Sequence, residues 1–138
     1  MVEIRQLSSP AAEDLLQLRE LYLIAEWISA DDPAEFLVSA IAGSTVAAGA
    51  FAGERLVGFA RALSDGCSDA YIQDVVVSPE FRRQGIGGKL IRFLEAELRR
   101  RGVDWIALVG EPGTENFYSR LGLKEQPGYT LWKLENDR

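Results

Sequence analysis

The sequence predicts an α/β protein: one mixed, mostly antiparallel sheet holding a single parallel βαβ unit, with helices on its flanks. Three observations carry this. Two β-prone runs, 45–51 and 55–63, are joined by Ala52-Gly53-Glu54, the spacing of a hairpin in which Gly53 supplies a positive φ. The apolar run 71–77, a helical pattern over 86–101 and a second apolar run 103–109 form a βαβ unit, which is parallel and right-handed by rule. At 138 residues and 47% hydrophobic composition the chain can bury one core but not two, so a single domain over 1–138 is expected.

Each element has a local reason. Val2–Leu7 alternates as a short strand. Ser9 offers an N-cap hydroxyl and Pro10 suits a first helical position, which opens an amphipathic helix carrying Leu15, Leu18 and Tyr22 to about Ser29. Asp32-Pro33 repeats that signature for a second helix to about Ala42. After the hairpin, the polar break 64–69 leads to Tyr71–Val77, whose near-continuous apolar character predicts a central strand covered on both faces. Leu90, Ile91, Leu94 and Leu98 then share one helical face, Arg99–Arg101 suit its negative dipole end, and Gly102 stops it. A strand over 103–109, a short helix over 114–121 ended by Gly122, and a last strand over 129–134 complete the order.

Composition narrows the chemistry. No apolar run of about 18 residues occurs, and the N-terminus lacks a signal-peptide core, so a cytoplasmic protein without a membrane partner is expected. The single cysteine, Cys67, and the absence of histidine argue against a disulfide framework and a metal centre, so no metal is expected. A net charge of -6 argues against nucleic acid as a partner, since phosphate-backbone binding needs a broad basic surface. Yet seven of the fifteen Lys and Arg residues fall between Arg82 and Arg101.

That basic island begins in Phe81-Arg82-Arg83-Gln84-Gly85-Ile86-Gly87-Gly88-Lys89, at the junction of strand and helix. A dinucleotide fingerprint G-x-G-x-x-G requires glycine where Leu90 stands, and a P-loop ending at Gly88-Lys89 requires glycine where Arg83 stands; both fail. Two readings of the residues remain. The glycines and arginines either form a tight turn with a solvated basic surface, or cradle a diphosphate on the free amides of the first helical turn. Basic residues at a helix N-terminus oppose its dipole unless an anion answers them, which favours the second.

The stretch Val75-Val76-Val77-Ser78-Pro79-Glu80-Phe81-Arg82-Arg83-Gln84-Gly85-Ile86-Gly87 resembles the acyl-CoA signature of the GNAT N-acyltransferase superfamily, Q/R-x-x-G-x-G/A after a strand end. Downstream, Asn116-Phe117-Tyr118-Ser119-Arg120-Leu121-Gly122-Leu123 is similar to its second motif, with Leu123 in place of the usual aromatic. The resemblance implies the GNAT fold, acetyl-CoA as co-substrate, an amine acceptor, and the homodimers common in that superfamily. It implies main-chain bonds from the Val75–Val77 strand to the pantetheine amides, with Val75 or Val76 also donating to the oxyanion. The diphosphate would then sit among Arg82, Arg83, Gln84, Gly85, Ile86, Gly87, Gly88 and Lys89. Arg92 is placed to reach a further phosphate.

By the same resemblance Tyr118 is the acid that protonates the departing CoA thiolate, and Asn116 bonds CoA. Read without it, Tyr118 is a half-buried aromatic and Asn116 a helix-surface or capping residue. Gln73 lies where some relatives carry a glutamate base and cannot itself serve as one. Water relaying to Glu26 or Asp74 is the alternative, and the reading favoured for Asp74 itself is a structural cap on a neighbouring loop. Strict alternation places Tyr71, Gln73, Val75 and Val77 on one face and Ile72, Asp74 and Val76 on the other. Glu26 and Trp27, near Asp31, Asp32 and Glu35, suit a cationic acceptor by charge and cation–π contact, or form a solvated acidic loop. The activity expected is acetyl transfer from acetyl-CoA to a primary amine; the competing reading is a non-catalytic acyl-CoA-binding sensor module.

Overall fold

The structure is a computed structural model that describes residues 1–136 of the 138. The chain divides into two compact units, residues 1–108 and the segment from 109 onward. In the first unit the order is β1 (Val2–Gln6), α1 (Ala12–Ile24), α2 (Glu35–Ala42), β2 (Val46–Ala52), β3 (Arg55–Ser64), β4 (Asp69–Val77), α3 (Ile86–Arg100) and β5 (Trp105–Leu108). The strands form one sheet in the order β1-β2-β3-β4-β5, antiparallel throughout except for the parallel pair β4–β5. The mixed sheet with one βαβ unit is therefore as the sequence predicts.

Alternation along β3 assigns the two faces. Phe59 is fully buried and turns its ring to Tyr22 of α1, at 6.1 Å between centroids. Its neighbour Gly58 turns to α3, where a Cβ would stand 3.2 Å from Leu90 Cδ1 and 3.3 Å from Ile86 Cγ2. Glycine at 58 thus lets the start of α3 lie directly on the sheet. Leu90, Leu94 and Leu98 are buried along the same helix, and each contributes roughly 1.5–3 kcal/mol by leaving water. On the opposite face Leu18, Leu21, Tyr22, Leu37, Ile41, Phe59 and Val76 form the second core cluster.

The second unit contains α4 (Glu115–Arg120), entered from Thr114 and left through Gly122 at φ +90°. The strand expected over 129–134 does not form. A strand exists only by pairing its N–H and C=O groups, and this stretch has no ladder partner among the described residues; Tyr129, Leu131, Trp132 and Leu134 are all exposed.

Four further expectations are corrected. Helix α1 starts after Ala11, whose N–H is taken by the Asp14 carboxylate at 3.2 Å, and Ser9 caps nothing. It ends at Ile24 rather than near Ser29, because Glu26 adopts φ +62° and Trp27 N–H turns back to the Tyr22 carbonyl. Asp32 does not cap α2: its carboxylate accepts from the Ser29 N–H, while the N-cap is Ala34. Strand β4 is the fourth of five and is covered on one face only near its start, where Tyr71 and Gln73 are exposed.

Glu26 holds a left-handed conformation that costs a non-glycine residue roughly 1–2 kcal/mol. Replacement by glycine returns part of this as unfolded-chain entropy, roughly 0.5–1 kcal/mol. Glu26→Gly is accordingly expected to stabilise the fold by about 0.5–1 kcal/mol, raising the thermal midpoint by a few degrees in a melting experiment. A lowered midpoint would mean that the Glu26 side chain itself holds the α1 end.

Candidate active site

Strand β4 leaves its neighbours in two ways. Its parallel ladder with β5 runs from Asp69↔Trp105 to Ile72↔Leu108 and stops, so from Gln73 onward that edge has no strand partner among the described residues. On its other side the pairing with β3 slips, from Arg61↔Gln73 to Phe59↔Val76, which makes Asp74 and Val75 a bulge with Asp74 at φ +58°. Expected alternation fails here for that reason. Gln73 and Asp74, although consecutive, both reach Arg61, and Val76 joins the cluster beneath α1.

The strand then ends at buried Ser78, whose N–H bonds the Val57 carbonyl at 2.8 Å, and one 3₁₀ turn over 79–81 leads to the basic loop. Arg82, Arg83, Gln84 and Gly85 are exposed, Ile86, Gly87 and Gly88 are buried, and Lys89 is exposed again. Arg83 holds φ +66° and Gly85 φ +76°, so the loop turns twice through left-handed backbone before α3 begins. The first intrahelical acceptor at this end is the Gly85 carbonyl, which takes the Lys89 N–H; the amides of the preceding turn have no intrahelical acceptor, no side-chain cap and no acidic residue in the first turn to answer them. Glu80 is held by Arg55 at 2.6 Å instead, and that guanidinium holds its carboxyl below the usual range. Arg82 donates to the Val77 carbonyl at 3.3 Å, and Arg92 pairs with Glu95 at 2.9 Å.

These groups fit an acyl-CoA. An extended chain bearing amides can pair with an open strand edge as a peptide does, and a diphosphate suits basic side chains and free amides at a helix start. Val75 and Val77, half-buried, lie on the free stretch of β4, while the Val76 side chain belongs to the core, so only its main chain is available.

On the sheet face carrying α1, a network appears that no local pattern announces. The Tyr22 hydroxyl donates to Asp74 Oδ2 at 2.7 Å, and Arg61 Nε donates to the same oxygen at 2.7 Å. Arg61 Nη2 reaches Gln73 Oε1 at 3.4 Å. Burial first, then the hydrogen bond and charge of Asp74, raise the Tyr22 phenol above its ordinary value, so it stays protonated and donating. Tyr22 also packs edge-on against Trp27 at 5.1 Å, so predicted Trp27 and Gln73 meet around residues that sequence reasoning missed: Tyr22 and Arg61. Glu26, in the same segment, is exposed. The described non-glycine residues with positive φ are Glu26, Asp74 and Arg83, one in each predicted part of the site. Strain of this kind concentrates at functional positions.

In the second unit Tyr118 and Asn116 share α4. Asn116 is exposed at the second helical position and is not the N-cap, which is Thr114. Tyr118 is half-buried, its ring 4.9 Å from that of Phe117; nearby, glycine at 110 spares the Thr114 hydroxyl, whose Oγ1 would stand 2.9 Å from a Cβ there. Burial and then the Glu111 carboxylate raise its phenol above the ordinary value, so it is a protonated donor at neutral pH. No group of three metal-ligating side chains occurs among the described residues.

Comparison with known proteins adds the family. An uncharacterized N-acetyltransferase of Pyropia yezoensis is 42% identical over 76 residues, 55% of this chain and 44% of that protein. A chloroplastic serotonin N-acetyltransferase of Oryza sativa is 44% identical over 73 residues, 53% of this chain and 36% of that protein. The chain thus spans less than half the length of these curated relatives. A GNAT-family acetyltransferase structure from Streptococcus pneumoniae superposes with TM-score 0.81 at 26% identity, covering both chains completely. The sequence profile described as the acetyltransferase (GNAT) family matches residues 1–123, and with the open β4 edge and basic helix start this shows that the chain belongs to the GNAT acetyltransferase family.

Proposed function

We propose that the chain is an acetyl-CoA-dependent N-acetyltransferase that acts on a primary amine by direct attack on the thioester. The observation that carries this is the parting of β4 from β5 beside a basic helix start with no acidic residue in its first turn. Main-chain groups at Val75 and Val77 hold the pantetheine arm, and Arg82, Arg83, Lys89 and the free amides before Lys89 hold the diphosphate. The N–H of Val75 or Val76 donates to the thioester oxygen as negative charge builds on it.

The acceptor ammonium first loses a proton to water. Its lone pair then forms the N–C bond as the C–S bond breaks, and the Tyr118 phenol gives its proton to the departing sulfur. The raised pKa of Tyr118 supports that role, since the donor must arrive protonated.

The test is a panel of primary amines, polyamines, serotonin and N-terminal peptides with acetyl-CoA, read as released thiol. Release above the hydrolysis background with at least one amine is expected. Tight acetyl-CoA binding without release from any acceptor would instead make the chain an acyl-CoA sensor.

A further inference from the structure

Between Asp74 and Glu95 the sequence holds one acidic residue, Glu80, and it stands two positions before Arg82 and three before Arg83. A carboxylate so close to the basic loop competes with a phosphate for both guanidinium groups and repels the phosphate itself. The structure turns it elsewhere. Arg55, which opens β3, takes both oxygens of Glu80, Nη2 to Oε1 at 2.6 Å and Nη1 to Oε2 at 3.4 Å. Arg82 and Arg83, in contrast, pair with no carboxylate among the described residues; the Arg82 side chain donates to the Val77 carbonyl.

The same guanidinium lies over the Phe81 ring, 5.6 Å from its centroid, so it grips two consecutive residues of the 3₁₀ turn over 79–81. That turn is also pinned at its base, where the Ser78 N–H bonds the Val57 carbonyl of β3 at 2.8 Å. Arg55 and Glu80 are 51% and 65% exposed. Exposed ion pairs add little to stability as a rule, so this two-bond pair, reaching across 25 positions, matters through what it orients. The carboxylate it orients is the one nearest to the diphosphate loop in sequence.

We propose that Arg55 is a positioning residue for acetyl-CoA binding: it holds Glu80 away from Arg82 and Arg83, so that both guanidinium groups stay open to the diphosphate. This rests on the acetyltransferase reading above. Affinity for the co-substrate is then set in part from the β2–β3 hairpin, outside the basic loop. The effect of Arg55 runs entirely through Glu80, which separates it from a remote positive charge and from a prop for the Phe81 ring.

The test is a double-mutant cycle on the full chain with two readouts. In calorimetric titration with acetyl-CoA, Arg55→Gln frees Glu80 and is expected to weaken binding about fivefold, the upper range for an exposed pair. Glu80→Gln is expected to bind at least as tightly as the parent, and adding Arg55→Gln to it is expected to change nothing further. An equal loss from Arg55→Gln in both backgrounds overturns the proposal, since a remote charge or a prop for Phe81 acts whether or not Glu80 is ionised. The second readout needs no ligand. Phenylglyoxal modifies unpaired arginines, and peptide mass mapping follows each one. Arg82 and Arg83 are expected to react about threefold more slowly in Arg55→Gln than in the parent, and at the parent rate in the double variant. Unchanged rates in Arg55→Gln overturn the proposal. If the parent binds no acetyl-CoA, the acetyltransferase reading falls, while the phenylglyoxal rates still decide whether Arg55 keeps Glu80 from the basic loop.

Discussion

Tyr118→Phe is expected to lower kcat about 100-fold while leaving the acetyl-CoA KM within a factor of about two, because general acid catalysis contributes on the order of 10²–10⁴-fold. The substitution removes one oxygen and keeps the ring that packs against Phe117. Folding is therefore not the variable. The pH profile separates this from a packing effect. In the proposed role the working form is the protonated phenol, and burial, then the Glu111 carboxylate, raises its pKa above the ordinary 10.0. Activity due to Tyr118 thus persists as pH rises and is lost only above about pH 10, when the phenol ionises; the phenylalanine variant should lack that alkaline limb. Steady-state kinetics over pH 6–11 with any accepted amine reads both effects. Full turnover by the variant would return Tyr118 to an ordinary aromatic and move the sensor reading forward.

What the sequence made legible follows from how local each feature is. Helix α3 is read almost to the residue, since Leu90, Leu94 and Leu98 recur at helical spacing and Gly102 stops the run within the chain's own backbone, at φ +92°. The β2–β3 hairpin is equally local, with Gly53 at φ +62° where the turn demands it. The basic loop is legible because glycines and charges stand side by side. The Asp74 network is not: Tyr22 and Asp74 are 52 positions apart, and the bulge that brings them together occurs at an aspartate, where no glycine signals it. Without the bulge, alternation would send Gln73 and Asp74 to opposite faces. The early end of α1 is hidden for the same reason, since Glu26 turns left-handed where a glycine would be expected. The stretch 129–134 shows the converse error: its residues are β-prone, yet propensity alone does not form a strand without a partner ladder.

Arg83→Gly is expected to stabilise the free protein and yet weaken acetyl-CoA binding roughly 10–100-fold. Arginine at φ +66° carries strain of roughly 1–2 kcal/mol, of which glycine relieves all while adding roughly 0.5–1 kcal/mol of unfolded-state entropy. The net gain in stability is about 0.5–1 kcal/mol. Against this, a charge-assisted hydrogen bond to the diphosphate contributes roughly 1.5–3 kcal/mol, and each 1.4 kcal/mol is about tenfold in affinity. A residue held in an unfavourable conformation by its loop, exposed and without an intramolecular ion pair among the described residues, has its charge free for a ligand. Arg83→Asn sharpens the comparison, because asparagine tolerates left-handed backbone and lacks the charge: it should lose the same affinity without glycine's entropy. Thermal melts of the ligand-free protein and calorimetric titration with acetyl-CoA measure the two quantities separately. Undiminished affinity in both variants would reduce the double left-handed turn at 83 and 85 to a connection that shapes the entry to α3, and would leave the diphosphate to Arg82, Lys89 and the helix amides.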